Sequence, residues 1–200
     1  MALVAAGVIA KKLLKEIEIK ATITELGGLP DVEAGLQKAI EAKDSVGGIV
    51  ECRVSGLPIG LGEPFFDSVE SVISHAVFAI PAVKGIEFGA GFYASRMFGS
   101  EHNDAILDKT GRTETNHAGG VVGGITNSND LIFRIVIKPT SSTPAIQNTW
   151  NSETDVVESY SVKGRHDLSI ALRVPVVLEA VTAFCLADLM LLEQRIARVI

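Results

Sequence analysis

Residues 115–142 read TNHAGGVVGGITNSNDLIFRIVIKPTSS, a glycine-rich loop followed by an apolar run and a polar exit. The apolar run Leu131–Ile137 predicts a strand. It ends in Lys138, a proline and three hydroxyl residues, which supply a charge and several hydrogen-bond donors. Glycine lets the backbone approach a ligand closely, and successive free N–H groups form a concave anion site. The stretch predicts a site for phosphate or a phosphate-bearing cofactor, and a plain surface loop is the alternative for the glycines alone.

Composition bounds the class of protein. A chain of 200 residues fits one domain with a real core, and because 47% of it is hydrophobic but only 6% aromatic, that core must be aliphatic. The net charge of −6 argues against nucleic acid or an anionic membrane as the main partner. An anion site would therefore have to concentrate its few bases locally.

The cysteines and the apolar segments indicate a reducing compartment, and we expect the cytoplasm. Cys52 and Cys185 lie in apolar surroundings without CxxC spacing, which predicts buried free thiols. The start, MALVAAGVIAKKLLKE, has its lysines after the apolar run, the reverse of a secretory signal. The most apolar stretch, 174–192, contains Glu179 and Asp188, so a buried helix is predicted there and not a membrane span.

Helices and strands are predicted on both sides of the opening stretch. The predicted helices cover 2–16, 31–43, 68–80 and 175–194, with Asp67 as the cap of the third. The predicted strands cover 17–24, 47–54, 82–88, 131–137 and 156–162, and residues 143–155 read as a long polar loop, either mobile or functional. Strands with one wet face and a last helix that is apolar all round predict an α+β fold, in which sheets cover a central helical layer.

A second candidate site is Gly164-Arg165-His166-Asp167, the GRHD segment, which precedes the last helix. Arg165 offers a planar fork for phosphate or carboxylate, and Asp167 could accept a proton. A turn with helix capping is the alternative. Arg134 interrupts the apolar strand and is predicted either on its wet face or in an anion pocket. The histidines lack metal-ligand spacing, so no metal is expected.

Taken together, the segments resemble the chorismate synthase family as an ordered series. They are DSVGG (44–48), GLGEPFFD (60–67), AIPAVKGIEFGAGF (79–92), GSEHND (99–104), TNHAGGVVGGIT (115–126), KPTSS (138–142), GRHD (164–167) and VPVVLEAV (174–181). The resemblance implies a single α+β domain over residues 1–200, a β-α-β sandwich with helices packed between antiparallel sheets. The GESHG and RSSARET motifs of the family's N-terminal half are absent from this sequence, so we expect the C-terminal part of the fold and an incomplete sandwich.

The resemblance also implies a reaction. The family eliminates phosphate from 5-enolpyruvylshikimate 3-phosphate in a 1,4-anti sense, forms chorismate for aromatic amino acid biosynthesis, and needs reduced FMN without net redox change. NADPH is a possible reductant, and the family is typically a homotetramer. We expect this chain alone not to turn over substrate. The alternatives are an incompetent fragment that retains partial flavin or phosphate binding, and a purely structural piece.

Site residues follow from the resemblance position by position. The implied flavin-binding residues are Pro81, Ala82, Gly123, Lys138, Pro139, Thr140, Ser141, Ser142 and Arg165. Asp167 is implied to lie near the flavin N5 and to help proton movement, and Leu168 follows it where relatives usually have Pro or Ser. All of these residues are expected to converge on one pocket.

Overall fold

The computed structural model describes residues 2–194. Its helices are α1 (Ala2–Leu13), α2 (Val32–Ala42), α3 (Val69–Val77), α4 (Gly99–His102) and α5 (Val174–Leu192). Its strands are β1 (Glu18–Leu26), β2 (Gly48–Ser55), β3 (Val83–Phe88), β4 (Val121–Val122), β5 (Ile125–Thr126), β6 (Leu131–Ile137), β7 (Gln147–Asn151) and β8 (Val156–Tyr160). Short 3-10 turns occupy Phe65–Asp67, Gly91–Arg96 and Ile170–Arg173.

The main sheet is antiparallel and has the strand order β1-β2-β6-β3. The strand predicted from the opening stretch lies inside it, with Val50 opposite Ile135 and Cys52 opposite Phe133. Alternate residues of β6 are buried, so one face of the sheet forms the core, while the other carries polar residues such as Arg134. This register fixes both ends of β6. The glycine-rich loop precedes the strand, and residues 138–142 follow it.

Helix α5 covers the buried face of the sheet. Its Thr182 hydroxyl lies 3.7 Å from the sulfur of Cys52 on β2, and α1 and α3 pack beside it. Glu179, the charge inside this apolar helix, accepts from the Lys11 ammonium at 2.5 Å and from the Ala21 N–H at 3.0 Å. The segment Ile170–Leu192 is long and apolar enough to cross a membrane by composition, but its packing on the sheet agrees with the predicted buried helix.

Both cysteines are buried and free, as predicted. Burial raises the pKa of the Cys52 thiol to about 12, against a smaller lowering by the Thr182 hydrogen bond. Burial likewise raises the pKa of Cys185 to about 11, and the charge of Asp188 adds to it. Both sulfurs are therefore protonated and unreactive at neutral pH.

The α+β class is confirmed, and the sandwich is present in part. Helices pack on one four-stranded antiparallel sheet. The remaining strands within residues 2–194 form two separate two-stranded ribbons, β4-β5 and β7-β8, and no second four-stranded sheet. This is the incomplete arrangement expected from the resemblance.

Four local predictions were wrong, the first being the end of α1, which lies at Leu13 and not at the predicted Glu16. Asp67 does not cap α3: it lies in a 3-10 turn, and the Ser68 hydroxyl accepts from the Ser71 N–H at 3.0 Å. That helix also stops at Val77, before the predicted end at Ile80. The predicted loop 143–155 contains β7, because Gln147–Asn151 pairs with β8 across a tight turn. Polar, exposed strands of this kind lack the apolar alternation that reveals a strand in a sequence.

Candidate functional site

The KPTSS segment (138–142) begins where β6 ends and lies beside the Pro81–Ala82 turn. The Lys138 N–H donates to the Ala82 carbonyl at 3.0 Å. Ala82 has φ 73°, a left-handed conformation that costs free energy for a residue with a Cβ and is often found at functional sites. Two of the segments predicted to bind cofactor therefore meet.

The GRHD segment approaches the same place. The Val46 N–H of the DSVGG segment (44–48) donates to the Leu168 carbonyl at 2.9 Å, and the Ser45 hydroxyl donates to the Thr140 carbonyl at 2.6 Å. A cavity of about 280 Å³ lies between the three segments, and its lining includes Ser142 and Asp167. We call this concavity the loop cavity. Of the predicted site residues, Ser142 and Asp167 line it, whereas Pro81, Ala82, Gly123, Arg165 and residues 138–141 are not among its lining residues.

Two buried polar atoms of these segments have no hydrogen-bond partner within residues 2–194: Thr140 Oγ1 and His166 Nδ1. His166 Nε2 lies 3.0 Å from the Val162 carbonyl, which can only accept, so Nε2 is the donor in this contact. Leaving buried polar atoms unpaired costs roughly 1–3 kcal/mol each. Of these two residues, His166 lines the loop cavity.

The cations of the site are available for an anion. Lys138 is half-buried and Arg165 is exposed, and neither forms an ion pair with any residue in 2–194. The exposed hydroxyls of Ser141 and Ser142 lie on the same segment as Lys138. The segment therefore offers a charge and hydroxyl donors of the kind that bind a phosphate group.

Asp167 has a partner that the sequence did not reveal. Its Oδ1 accepts from Arg173 Nη2 at 2.8 Å, and the Asp167 side chain is 34% exposed. Arg173 closes the 3-10 turn that leads into α5, and the five residues between it and Asp167 hide this pairing from a reading of motifs. The contact fixes the direction of the carboxylate beside the loop cavity.

Gly123 belongs to a different part of the fold from this cluster, so its convergence with the other predicted residues on one pocket, to which a partner subunit could contribute, stays a prediction. Gly123 lies in the turn of the β4-β5 ribbon, which is tied to the start of β6 by the Ile132 N–H donating to the Gly119 carbonyl at 3.0 Å. Lys138 follows the other end of β6. At about 3.3 Å per residue, the seven residues of β6 place its two ends roughly 20 Å apart.

The glycine loop is also not a set of free amides. The Gly119 N–H donates to the Asn116 carbonyl at 3.1 Å, and the Gly120 N–H donates to Asn116 Oδ1 at 2.8 Å. A sequence shows which residues could offer free N–H groups but not which of these the fold consumes. The interpretation of these two glycines as an anion cradle is therefore wrong.

Asp104 organises this loop instead. Its carboxylate accepts from the His117 N–H at 2.7 Å, the Ala118 N–H at 2.9 Å and the Thr115 hydroxyl at 2.7 Å. Burial by itself would raise the pKa of Asp104, but these donors outweigh it and hold the pKa below its ordinary value. The carboxylate is therefore a structural anchor that needs its charge.

The Gly123 turn borders a second, larger cavity of about 960 Å³, lined by Val122, Ile125, His102 and other mostly apolar residues. His102 and His117 stack loosely near it, with ring centres 6.0 Å apart. Within residues 2–194, no cluster of His, Cys, Asp or Glu is placed to hold a metal ion. Gly123 has open space around its Cα, as a residue approached by a ligand would.

Arg134 is neither a bare surface residue nor a free anion site. Its Nε lies 3.0 Å from Glu87 Oε1, and its Nη2 donates to the Gly89 carbonyl at 2.8 Å. Glu87 lies on β3 and Gly89 directly follows it, so these contacts of Arg134 join β6 to β3 on the half-exposed face of the sheet.

The fold and the loop cavity define an α+β protein with a candidate site for a phosphorylated ligand at one end of its sheet. The sequence profile of the chorismate synthase family matches residues 1–191. Chorismate synthase of Chitinophaga pinensis is 73% identical over 198 residues, covering 98% of this chain. That of Dehalococcoides mccartyi strain 195 is 43% identical over 228 aligned residues. A crystal structure of chorismate synthase superposes with a TM-score of 0.77 at 25% identity, covering 96% of this chain and 62% of that one. The chain belongs to the chorismate synthase family.

This chain spans only part of its relatives. It covers 60% of the length of the Chitinophaga pinensis protein and 63% of the Dehalococcoides mccartyi protein. We therefore treat the activity, substrate and partners of the whole protein as proposals.

Proposed function

We propose that the chain is the flavin-binding part of a chorismate synthase that converts 5-enolpyruvylshikimate 3-phosphate to chorismate by 1,4-anti elimination of phosphate. The observation that carries this proposal is the 73% identity over 198 residues to a chorismate synthase. The meeting of the KPTSS and GRHD segments around one cavity supports it. The product would enter aromatic amino acid biosynthesis in the cytoplasm.

The proposed cofactor is reduced FMN, which when bound supplies electron density that helps phosphate leave, without net redox change. Lys138 would hold an anionic group, and Thr140, Ser141 and Ser142 would hydrogen-bond beside it. The orphaned Thr140 hydroxyl supports this assignment. Arg165 would offer its planar fork from the facing segment, and Pro81, Ala82 and Pro139 would shape the wall. NADPH is the proposed source of reducing equivalents.

Asp167 is proposed to move a proton beside the cofactor. Its Oδ1 is engaged by Arg173, which leaves Oδ2 as the atom able to accept or return a proton. Because the ion pair holds the carboxylate in one orientation, the proton would be transferred at a fixed point. General acid–base groups need such placement within hydrogen-bond reach of the reacting atom.

A second copy of the chain is proposed to contribute the Gly123 turn. Within one chain, the ribbon that carries Gly123 is tied to the start of β6 and Lys138 follows the end of β6, so a second chain could bring another Gly123 turn to the loop cavity. A homo-oligomer, a tetramer by resemblance to the family, would supply that boundary. Cyclic and dihedral assemblies of identical chains are the usual way in which such composite sites arise.

The alternative function is a fragment that binds flavin or phosphate without catalysis, or one with only a structural role. Its support is the loop cavity of about 280 Å³, which is below the roughly 300–1,000 Å³ of typical ligand pockets. Further walls would be needed to enclose a whole flavin nucleotide.

One pair of measurements separates these functions. The purified chain is titrated calorimetrically with reduced FMN under anaerobic conditions, and chorismate is assayed after addition of 5-enolpyruvylshikimate 3-phosphate. We expect binding without chorismate from this chain alone. Chorismate formation would contradict that expectation and establish activity, whereas absence of binding would leave only the structural role.

A matched pair of lysine variants locates the binding. Lys138→Ala should weaken FMN binding by about tenfold, the effect of losing a charge-assisted hydrogen bond of roughly 1.5 kcal/mol. Lys20→Ala, on the exposed side of edge strand β1, should leave the affinity unchanged. Equal losses in both variants would indicate general charge attraction and refute the proposed site.

A further inference from the structure

We propose that the DSVGG segment is a positioning clamp that couples the KPTSS and GRHD segments and so sets the geometry of the flavin site. This inference rests on the proposed function and assigns a role to residues that contact no predicted ligand group. Ser45 and Val46 are its two working residues. They are neighbours in the chain, yet each holds a different one of the two segments.

The contacts of the clamp are specific. The Ser45 hydroxyl donates to the Thr140 carbonyl at 2.6 Å, joining residues 95 positions apart. The next residue uses its backbone, as the Val46 N–H donates to the Leu168 carbonyl at 2.9 Å. Gly47 completes the arrangement, because a Cβ there would lie 3.2 Å from Pro139 Cδ and 2.5 Å from the Ile137 carbonyl oxygen. Three consecutive residues thus touch both predicted cofactor segments.

The clamp itself is firmly anchored. Lys43 caps α2 in a left-handed conformation with φ 48°, and its N–H bonds back to that helix. The Asp44 N–H donates to the Ala39 carbonyl at 3.1 Å, and the Asp44 carboxylate accepts from the Ser45 N–H at 2.7 Å. Strand β2 begins directly afterwards at Gly48. A helix end and a central strand therefore hold the clamp on both sides.

Ser45 acts through the KPTSS segment and not as a ligand donor. Its one hydroxyl proton goes to the Thr140 carbonyl, so it has none for a cofactor. The ring of Pro139 fixes its φ angle. A restraint on the Thr140 carbonyl therefore also limits the position of Lys138. Loss of the tether should loosen one wall of the loop cavity and, through Val46, the other wall as well.

Hydrogen exchange tests the coupling without any ligand. In the full chain carrying Ser45→Ala, we expect faster amide exchange in residues 140–143 and 165–168 and at Val46, with β6 unchanged. Faster exchange in residues 140–143 alone, or in neither segment, would overturn the clamp. Ser95→Ala is the matched control, because the Ser95 hydroxyl donates to the Phe92 carbonyl at 2.9 Å, outside the proposed site.

Flavin binding tests the consequence. Titration with reduced FMN should give an affinity about three- to tenfold weaker for Ser45→Ala, the effect of one neutral hydrogen bond. Ser45→Thr keeps the hydroxyl and should restore the affinity, and Ser95→Ala should match the wild type. Failure of Ser45→Thr to rescue, or unchanged affinity in Ser45→Ala, would refute the positioning role.

Failure of FMN binding and failure of the clamp can be distinguished. If the wild-type chain did not bind FMN, the proposed function would be refuted at Lys138 and its neighbours. The exchange experiment would still decide whether Ser45 and Val46 couple the two segments. If the wild type binds FMN and the exchange rates of Ser45→Ala are normal, only the clamp is lost.

Discussion

Gly47→Ala is the substitution whose cost the structure defines best. Gly47 is not in the left-handed region, so its backbone conformation suits alanine. The obstacle is space, since an added Cβ would lie 2.5 Å from the Ile137 carbonyl oxygen and 3.2 Å from Pro139 Cδ. Normal contact requires about 3.5 Å, so the exit of β6 would have to retreat by about 1 Å.

The expected loss follows from this displacement. Overpacking of this kind costs about 1–3 kcal/mol, while the lower entropy of an unfolded alanine returns about 0.4–1 kcal/mol. A net loss of about 1–2 kcal/mol remains. For a chain of this length, each kcal/mol lowers Tm by about 2–4 °C, so we expect a decrease of about 2–8 °C.

Thermal unfolding followed by circular dichroism measures this loss. Gly99→Ala is the matched control, because no atom lies within 4 Å of its Cβ position and its backbone is also outside the left-handed region. We expect Gly99→Ala to match or slightly exceed the wild type in Tm. Equal Tm values for Gly47→Ala and Gly99→Ala would refute the overpacking expected at position 47.

Three further predictions concern the core, the loop and the proposed chemistry. Gly7→Ala should lower Tm by several degrees on the scale of about 2–4 °C per kcal/mol, because the added Cβ would lie 2.7 Å from Ala180 Cα and force α1 away from α5; a Tm equal to that of Gly99→Ala would contradict this. Asp104→Asn should lower Tm at pH 7, and the difference should shrink as pH falls below about 4, because a carboxylate whose pKa is held below its ordinary value contributes stability that is lost on its protonation; a difference that is constant from pH 7 to pH 3 would refute the anchoring role of the charge. In an assembly that forms chorismate, Asp167→Asn should slow turnover strongly while FMN affinity, measured by titration, changes little; unchanged turnover would dispose of the proton role of Asp167.

Elements with strong local signals were predictable. The apolar run Leu131–Ile137 is β6 at both ends, and Asp31 caps α2 by accepting from Glu33 and Ala34. In both cases residue type and spacing act within a few positions, which a sequence displays directly. Strand β7 has no such signal, since it is exposed on both faces and only its pairing with the predicted strand β8 defines it.

The sequence named segments that border the loop cavity but not the contacts that arrange them. The ordered motifs identified the KPTSS and GRHD segments, and the structure joins them around the loop cavity. The roles of Ser45 and Arg173 depend on contacts to Thr140 and Asp167 that no local pattern encodes. The separation of Gly123 from Lys138 likewise follows from the course of β6 through the sheet and not from either motif.

The rate at which a buried thiol of this protein is alkylated would report how often its core opens. Cys52 is sealed between β2 and α5, and Cys185 lies on α5 itself. An alkylating reagent at neutral pH can reach Cys52 only when α5 lifts from the strands, so the rate of Cys52 labelling reports those opening events. A ligand bound at the far end of the sheet would stabilise the folded state and so slow this labelling, even though it touches neither sulfur.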